Sequence, residues 1–398
     1  MQYSSGTETR GMSSSSAPAA PAAPRSAADD TAGAYDRPTT HDSATDDGFD
    51  RLRLQFEGLG AGYLAACTGG LPPAAARAAA LDDLDLWSAG FAGPAHYDAA
   101  VTRARHAFAR LADVDTANVA IGSQTSVFAG MIAASIPDGA EVLCVDGDFS
   151  SMVFPFLQQE HRGVRVRHAP LTGLEDAITT RTHLVAYSLV QSATGEVADA
   201  QSIRTAADAV GARVLCDVTQ AAGWLPLEPC TADALVCHTY KWLCAPRGVC
   251  FLSVAPRFIE ELRPIHAAWY AGENPWDACY GPSAPLASSA RRFDVSPAWQ
   301  AFAAGAPAIE LFASTNIRRV HDYDVALADA FANGLGLQRS ARELGSAIVT
   351  WSDPGSAALE RLTSAGLVAS GRAGRARVAF HVWNDEGDVE RALAALAG

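Results

Sequence analysis

Asp217-Val218-Thr219-Gln220-Ala221-Ala222-Gly223-Trp224 and, further along, His238-Thr239-Tyr240-Lys241-Trp242-Leu243-Cys244-Ala245-Pro246-Arg247-Gly248 decide how this chain is read. Each segment follows a short β-rich run, 213–216 in one case and 234–237 in the other, so both set polar side chains at strand ends. Lys241 is the only lysine in 398 residues, although lysine and arginine together number 30. Arginine serves wherever positive charge alone is needed. Lysine alone supplies a primary amine that burial can convert into a neutral nucleophile, the requirement of Schiff-base chemistry. A carboxylate such as Asp217 near that amine has a matching use, keeping a proton on a pyridine nitrogen so that the ring draws electrons. Taken singly, Lys241 reads equally well as a surviving surface residue and Asp217 as a helix cap. Their spacing, each just past a strand, points to chemistry.

The pattern extends in both directions. Strand-like runs over 119–121, 141–145, 164–167, 184–187, 213–216, 234–237 and 249–254 alternate with helical stretches such as 125–134 and 200–210. That order predicts an α/β fold with a mostly parallel sheet built from βαβ crossovers, whose ligands bind at the carboxyl edge. From about residue 300 the pattern becomes a long Ala-rich helix, two strands over 347–351 and 377–382, and a final helix from Asp388. The expected organisation is a large cofactor-binding domain over 49–299 and a small C-terminal α/β domain over 300–398, with the segment near 49–75 packing on the latter. Residues 1–48, rich in Ser, Ala, Pro, Thr, Gly and Asp, bury too little apolar surface to offset ordering and are expected to be a disordered tail.

Composition removes several classes of function. A formal charge of −14 argues against a nucleic-acid partner, and 49% hydrophobic residues fit a globular enzyme. No apolar run reaches membrane-spanning length, and the start of the chain lacks the charged-then-apolar order of a secretory signal, so no membrane association and a cytoplasmic location are expected. The eight cysteines form no CxxC pair and no Cys/His cluster at zinc spacing, which predicts reduced core thiols and no metal. Gly-rich stretches at 58–62 and 371–374 lack the strand-turn-helix setting of a dinucleotide site, and Tyr240 rather than glycine precedes Lys241, which excludes a Walker loop.

D-x-x-Q at Asp217–Gln220 and K-W-L-x-x-P-x-G from Lys241 to Gly248 resemble the cofactor region of class V aminotransferase-fold enzymes, and the likeness continues more weakly over about 60–397. That group includes cysteine desulfurases, kynureninases, isopenicillin-N-epimerase-like proteins and carbon–sulfur lyases, all using pyridoxal 5'-phosphate (PLP). The resemblance implies the PLP-dependent transferase fold of the aspartate aminotransferase type. It further implies that Lys241 forms the Schiff base, Asp217 pairs with the pyridine nitrogen, Gln220 lies near the ring hydroxyl, and His238 and Tyr240 reach the phosphate. Ser123, Gln124 and Thr125 open a helix whose N-terminus would cradle the phosphate, although alone they read as an N-cap. Phe149 corresponds to the aromatic over the ring. Gln191 and Ser192 correspond to polar ring neighbours, with Leu189 where desulfurases usually carry histidine. Arg375-Ala376-Arg377-Val378-Ala379-Phe380-His381-Val382-Trp383-Asn384 resembles the family's R-x-S-x-H-x-x-N strand, which makes Arg377 the clamp for a substrate α-carboxylate, with Ala379 in place of the usual Ser. The resemblance also implies a homodimer, with the loop over 269–280 contributed to the neighbour.

Cysteine desulfurases carry their catalytic cysteine on a loop shortly before this strand. Residues 370–375 contain none, and the last cysteine in the chain is Cys279, so persulfide transfer is disfavoured. Tyr-Lys-Trp-Leu and the loop over 269–276 look most like the epimerase-like branch that also holds carbon–sulfur lyases. The favoured reading is a carbon–sulfur β-lyase acting on an S-substituted cysteine, with a class V aminotransferase or an amino-acid epimerase as alternatives. A non-enzymatic protein of this fold is opposed by the joint presence of Lys241, Asp217, Gln220 and Arg377.

Overall fold

The computed structural model describes residues 47–228, 231–282 and 284–397. The expectation of disorder over 1–48 lies outside the described residues, apart from Asp47 and Gly48, which lead into the first helix. The strands are β1 (Val119–Gly122), β2 (Glu141–Val145), β3 (Arg165–Ala169), β4 (Thr182–Ser188), β5 (Arg213–Asp217), β6 (Ala234–His238), β7 (Cys250–Val254), β8 (Ile348–Ser352), β9 (Ser370–Arg372) and β10 (Arg375–Ala379). The helices are α1 (Phe49–Leu54), α2 (Ala74–Ser88), α3 (Pro94–Leu111), α4 (Thr125–Ser135), α5 (Ser150–Leu157), α6 (Ala200–Val210), α7 (Pro256–Ile259), α8 (Trp299–Ala313), α9 (Ile317–Gly334), α10 (Ala357–Ser364) and α11 (Glu386–Ala397). Among the described residues no helix is long and apolar enough to cross a membrane.

Strands β1 to β7 form one sheet in the order β1, β7, β6, β5, β4, β2, β3. Alternate side chains feed two cores: Leu143, Val185, Val214 and Phe251 on one face, Val142, Leu184, Leu215 and Leu252 on the other. Burial on both faces explains why these strands read as continuous apolar runs. All neighbours are parallel except β7, which runs antiparallel to both β1 and β6. The exception has a local cause. No helix separates β6 from β7, so the chain returns through the lysine loop and must pair antiparallel.

The second sheet has the order β8, β10, β9, and its core of Leu327, Phe331, Val349, Leu362, Val378 and Phe380 also takes in Leu64 from the N-terminal segment. Strand β9 was not expected, because Ser370-Gly371-Arg372 carries no β-branched or aromatic residue. A tight hairpin supplies what propensity does not: Ala373 (φ 51) and Gly374 (φ 72) both take positive φ, the requirement of a two-residue turn with the right twist. The single helix expected from residue 300 is two. Ser314 and Thr315 bond back to Leu311 O, and Asn316 caps α9 by accepting from Arg318 N.

Arg105 on α3 holds the open end of β1. Its Nη2 lies 2.7 Å from Asp294 Oδ2, and Asp294 Oδ1 accepts from Ile121 N at 2.8 Å, with both side chains buried. Replacing Asp294 by Ala leaves the guanidinium uncompensated. Urea unfolding of Asp294→Ala should show a loss of about 3–5 kcal/mol, far beyond an exposed pair such as Arg103–Glu310 at roughly 0–1 kcal/mol.

Candidate active site

The carboxyl ends of β4, β5 and β6 deliver Ser188, Asp217 and His238 to one edge of the sheet, beside the loop after β2 and the start of α4. There they surround a cleft of about 540 Å³, counted to its open mouth. Gln124, Thr125, Phe149, Asp217, Gln220, His238, Tyr240 and Lys241 all line it, together with Ser188, Ser192, Thr219 and Arg247. Ser123 and Arg377 lie outside that lining, and Gln191 is buried behind it, donating from Nε2 to Ser188 O at 3.1 Å.

Each side chain is set by its strand end. Asp217 closes β5, and its Oδ1 accepts from Thr219 N at 2.8 Å. Thr219 Oγ1 in turn accepts from His238 N at 2.9 Å, tying β5 to β6. Asp148, just past β2, accepts from Ser188 N at 2.8 Å and Ser188 Oγ at 2.6 Å, and thereby fixes the next residue, Phe149, at the N-terminus of α5. The Phe149 ring is 46% exposed rather than in a core, with its centroid 5.5 Å from Lys241 Nζ. Gln124 precedes α4 and makes no side-chain cap bond, so the first N–H groups of that helix are not capped by it.

The Lys241 peptide is held from several sides. Gly70 N donates to Tyr240 O at 2.9 Å, and a Cβ at Gly70 would stand 2.0 Å from Lys241 O. Gly223, at φ 113, leaves equally little space: a Cβ there would meet Trp242 O at 2.5 Å. Trp242 Nε1 donates to Gln220 Oε1 at 2.8 Å, while Gln220 Nε2 donates to Cys67 O at 2.9 Å and Ser192 Oγ at 3.1 Å. Cys244 completes the turn with a positive φ of 55, a conformation that costs a side-chain-bearing residue free energy and persists only where surroundings enforce it.

These positions set the charges. Lys241 is buried and its ammonium makes no hydrogen bond among the described residues. Burial pulls its pKa from 10.5 down to about 8, against an opposing pull from Asp217 and Cys67. Burial pushes Asp217 up to about 6, with the Thr219 bonds and Lys241 countering. His238 falls to about 4 through burial first and then Arg247 and Lys241, so it is a neutral imidazole at pH 7. The donor set suits PLP: a lysine near neutrality, a buried carboxylate acceptor at a strand end, an aromatic ring at the mouth, and a helix N-terminus with hydroxyls beside it.

Arg377 is fully buried in the wall next to the cleft. Its Nε donates to Ser370 Oγ at 3.1 Å, Nη2 to Thr68 Oγ1 at 3.1 Å, and Nη1 to Ser192 Oγ at 2.9 Å and to Ser192 O. Sequence reading did not find Cys67, Thr68 or Ser370 as members of this cluster. Cys67 Sγ lies 4.0 Å from Ser370 Oγ. The segment holding Cys67 and Thr68 has no periodic pattern and lies about three hundred residues from Arg377, so no local signal marks it.

A family model for class V aminotransferases matches residues 95–347. The chain belongs to that family. Class V aminotransferases are PLP-dependent enzymes, so this class V chain is one too, with the mostly parallel PLP-dependent fold. An uncharacterized aminotransferase of Bacillus subtilis (strain 168), YcbU, is 28% identical over 316 residues, 74% of this chain and 82% of that protein. Isopenicillin N epimerase of Streptomyces clavuligerus is 30% identical over 185 residues, 42% of this chain but only 46% of the epimerase. The cystine C–S lyase C-DES, solved with its reaction product cysteine persulfide, superposes with a TM-score of 0.78 at 21% identity, covering 86% of this chain and 99% of that one, a likeness of fold.

The single lysine makes the site directly measurable. Amine-selective acylation of the cofactor-free class V chain, followed by peptide mapping, should modify Lys241 with a pH midpoint near 8. A midpoint near 10.5 would mean that the amine is solvated and the cleft differently built.

Proposed function

We propose that this enzyme is a carbon–sulfur β-lyase acting on an S-substituted cysteine, with Lys241 as the amine that holds the cofactor and moves the substrate's Cα proton. The observation that carries the reading is the buried Lys241 amine in one cleft with the buried Asp217 carboxylate. Bound there, PLP supplies an electron sink for the charge that develops at the substrate Cα. Asp217 would hold the pyridine N–H, and its placement among apolar residues strengthens that bond. Gln124, Thr125, His238 and Tyr240 would hold the phosphate, with Ser123 supporting the same helix start. Phe149 would cover the ring and Gln220 would stand beside its hydroxyl. In this reading residues 49–299 form the cofactor domain and 300–398 the small domain that brings Arg377.

Lys241, neutral for part of its population near pH 8, accepts the Cα proton and can return it. Arg377 orients the substrate: its partners Ser192, Thr68 and Ser370 offer hydroxyls that a carboxylate can displace while keeping the guanidinium paired. Expulsion of the sulfur substituent from Cβ then competes with return of the proton, which would be epimerisation, and with its transfer to the cofactor, which would be transamination.

A second reading has a specific observation behind it. Cys67 Sγ, 4.0 Å from Ser370 Oγ, brings a thiol from another part of the chain to the segment where residues 370–375 lack one. Sulfur transfer would convert cysteine and the Cys67 thiol into alanine and a Cys67 persulfide. Incubation of the holoenzyme with S-substituted cysteines and with cysteine separates the possibilities. The lyase gives pyruvate, ammonia and a free thiol or persulfide, and alanine with sulfur on Cys67 marks the second reading. Pyridoxamine phosphate or racemised substrate without elimination would overturn both.

Arg377→Lys should raise KM for the amino acid roughly tenfold to hundredfold, the equivalent of about 1.5–3 kcal/mol, with cofactor loading unchanged. An unaltered KM would move the carboxylate to another cation. We also propose a homodimer, supported by aromatic side chains left in water on the 269–280 loop, Trp276 at 49% exposure and Tyr280 at 93%. Light scattering should give twice the chain mass, and a fully active monomer would refute it.

A further inference from the structure

His381 and Asp324 form a buried pair that takes no part in lining the cleft, yet it is joined to the catalytic loop. Both side chains are wholly excluded from solvent. His381 Nδ1 lies 2.8 Å from Asp324 Oδ2 on α9, and Nε2 lies 3.0 Å from the carbonyl oxygen of Trp242, the residue after Lys241. A carbonyl only accepts, so Nε2 is the donor in that bond, and Nδ1 faces the carboxylate. Three rings enclose the imidazole: Phe312 stacked at 5.6 Å, and Trp242 and Trp383 edge-on at 5.1 and 4.8 Å. Asp324 Oδ1 is buried without a partner, and burial raises the Asp324 pKa, with His381, His321 and Arg53 pulling the other way. Desolvating two such groups offsets much of what their attraction gains, so burial of the pair is weak evidence of a purely stabilising role.

We propose that His381, backed by Asp324, is a positioning residue for Lys241, acting through the Trp242 carbonyl. The claim rests on the reading of Lys241 as the reactive amine. The other donor to that carbonyl is the Cys244 thiol at 3.8 Å, and Cys244 itself holds a positive φ. Gly223 packs against the same oxygen but donates nothing to it. His381 is therefore the strong bond that keeps the turn from relaxing, and with it the direction in which Lys241 leaves the backbone. The groups that act on the Lys241 charge are Asp217, Cys67, Arg377 and Arg372, so loss of His381 reaches the amine through backbone position and not through direct charge.

Because Lys241 is the only lysine, acylation of the full-length, cofactor-free chain reports its setting without reference to any substrate. His381→Leu should move the acylation midpoint up from about 8 towards 10.5 as the loop gains water. In the holoenzyme, exchange of the substrate Cα hydrogen should lose roughly tenfold or more in kcat with KM within about twofold, and His381→Gln, which keeps a donor to the carbonyl, should recover most of both. If His381→Leu does not fold, His381→Asn, too short to reach Trp242, takes its place against Gln. An unchanged midpoint and kcat overturn the proposal, and so does a lower unfolding temperature as the sole change. A shifted midpoint in an enzyme that turns over none of the tested amino acids would leave the positioning role standing while the lyase reading falls.

Discussion

Burial of one amine, that of Lys241, is the constraint around which the rest of this structure is arranged. Removing an ammonium from water is costly, and Lys241 meets that cost by shifting towards the neutral form, down to about 8. Asp217 is pushed the opposite way, up to about 6, by the same burial. The same burial thus lowers the charge on both groups, and each keeps part of its charge only through the other and through the Thr219 bonds to Asp217. Neither group would behave so on an exposed loop.

Keeping the amine buried requires the backbone to be crowded, and the glycines show how crowded it is. Gly70 and Gly223 approach the Lys241–Trp242 peptide from two sides at distances no side chain permits. The first comes from the N-terminal segment and the second from the turn after β5, so the lysine loop is closed by pieces of chain far apart in sequence. Strand β10 adds Arg377 to the wall, and His381, four residues on and just past the strand's end, lies behind the lysine loop without lining the cleft. A strand end fixed at two such points links the place where a carboxylate would bind to the place where the proton would move.

The large sheet was legible because its strands are buried on both faces and stand out as apolar runs. The residues just past them, Asp217, His238 and Lys241, inherit their placement from that register. The mostly parallel sheet was expected, but which strand runs antiparallel was not assigned, because periodicity reports burial and not chain direction. Strand β9 was missed because a turn with two positive φ values, rather than side-chain preference, makes it. Cys67, Thr68 and Ser370 were invisible for another reason: they sit in irregular segments, and only the folded chain brings them to Arg377. Family likeness pointed to Arg377, whereas the hydroxyls that surround it come from this chain's packing.

That difference bears on how the reaction is chosen. The floor of the cleft, Asp217, Gln220, His238 and Lys241, suits any chemistry that begins with loss of the Cα proton, so it cannot discriminate among elimination, transamination and epimerisation. In the proposed reading, discrimination would come from groups near the Cβ substituent, and the wall around Arg377 offers Ser192, Thr68, Ser370 and Cys67 as candidates. A departing thiolate would need a proton, and the wall holds hydroxyls and a thiol; retention of sulfur on the protein would instead need the Cys67 thiolate to attack the substrate sulfur while the C–S bonding pair passes to Cβ. Epimerisation instead needs a second base on the opposite face of Cα, and no His or second Lys is among the residues lining the cleft besides His238, whose low pKa of about 4 makes it a poor one. In the proposed reading the wall would serve chemistry at Cβ, and the choice between a free sulfur product and a sulfur held on the protein would turn on whether the Cys67 thiol reaches the substrate's sulfur.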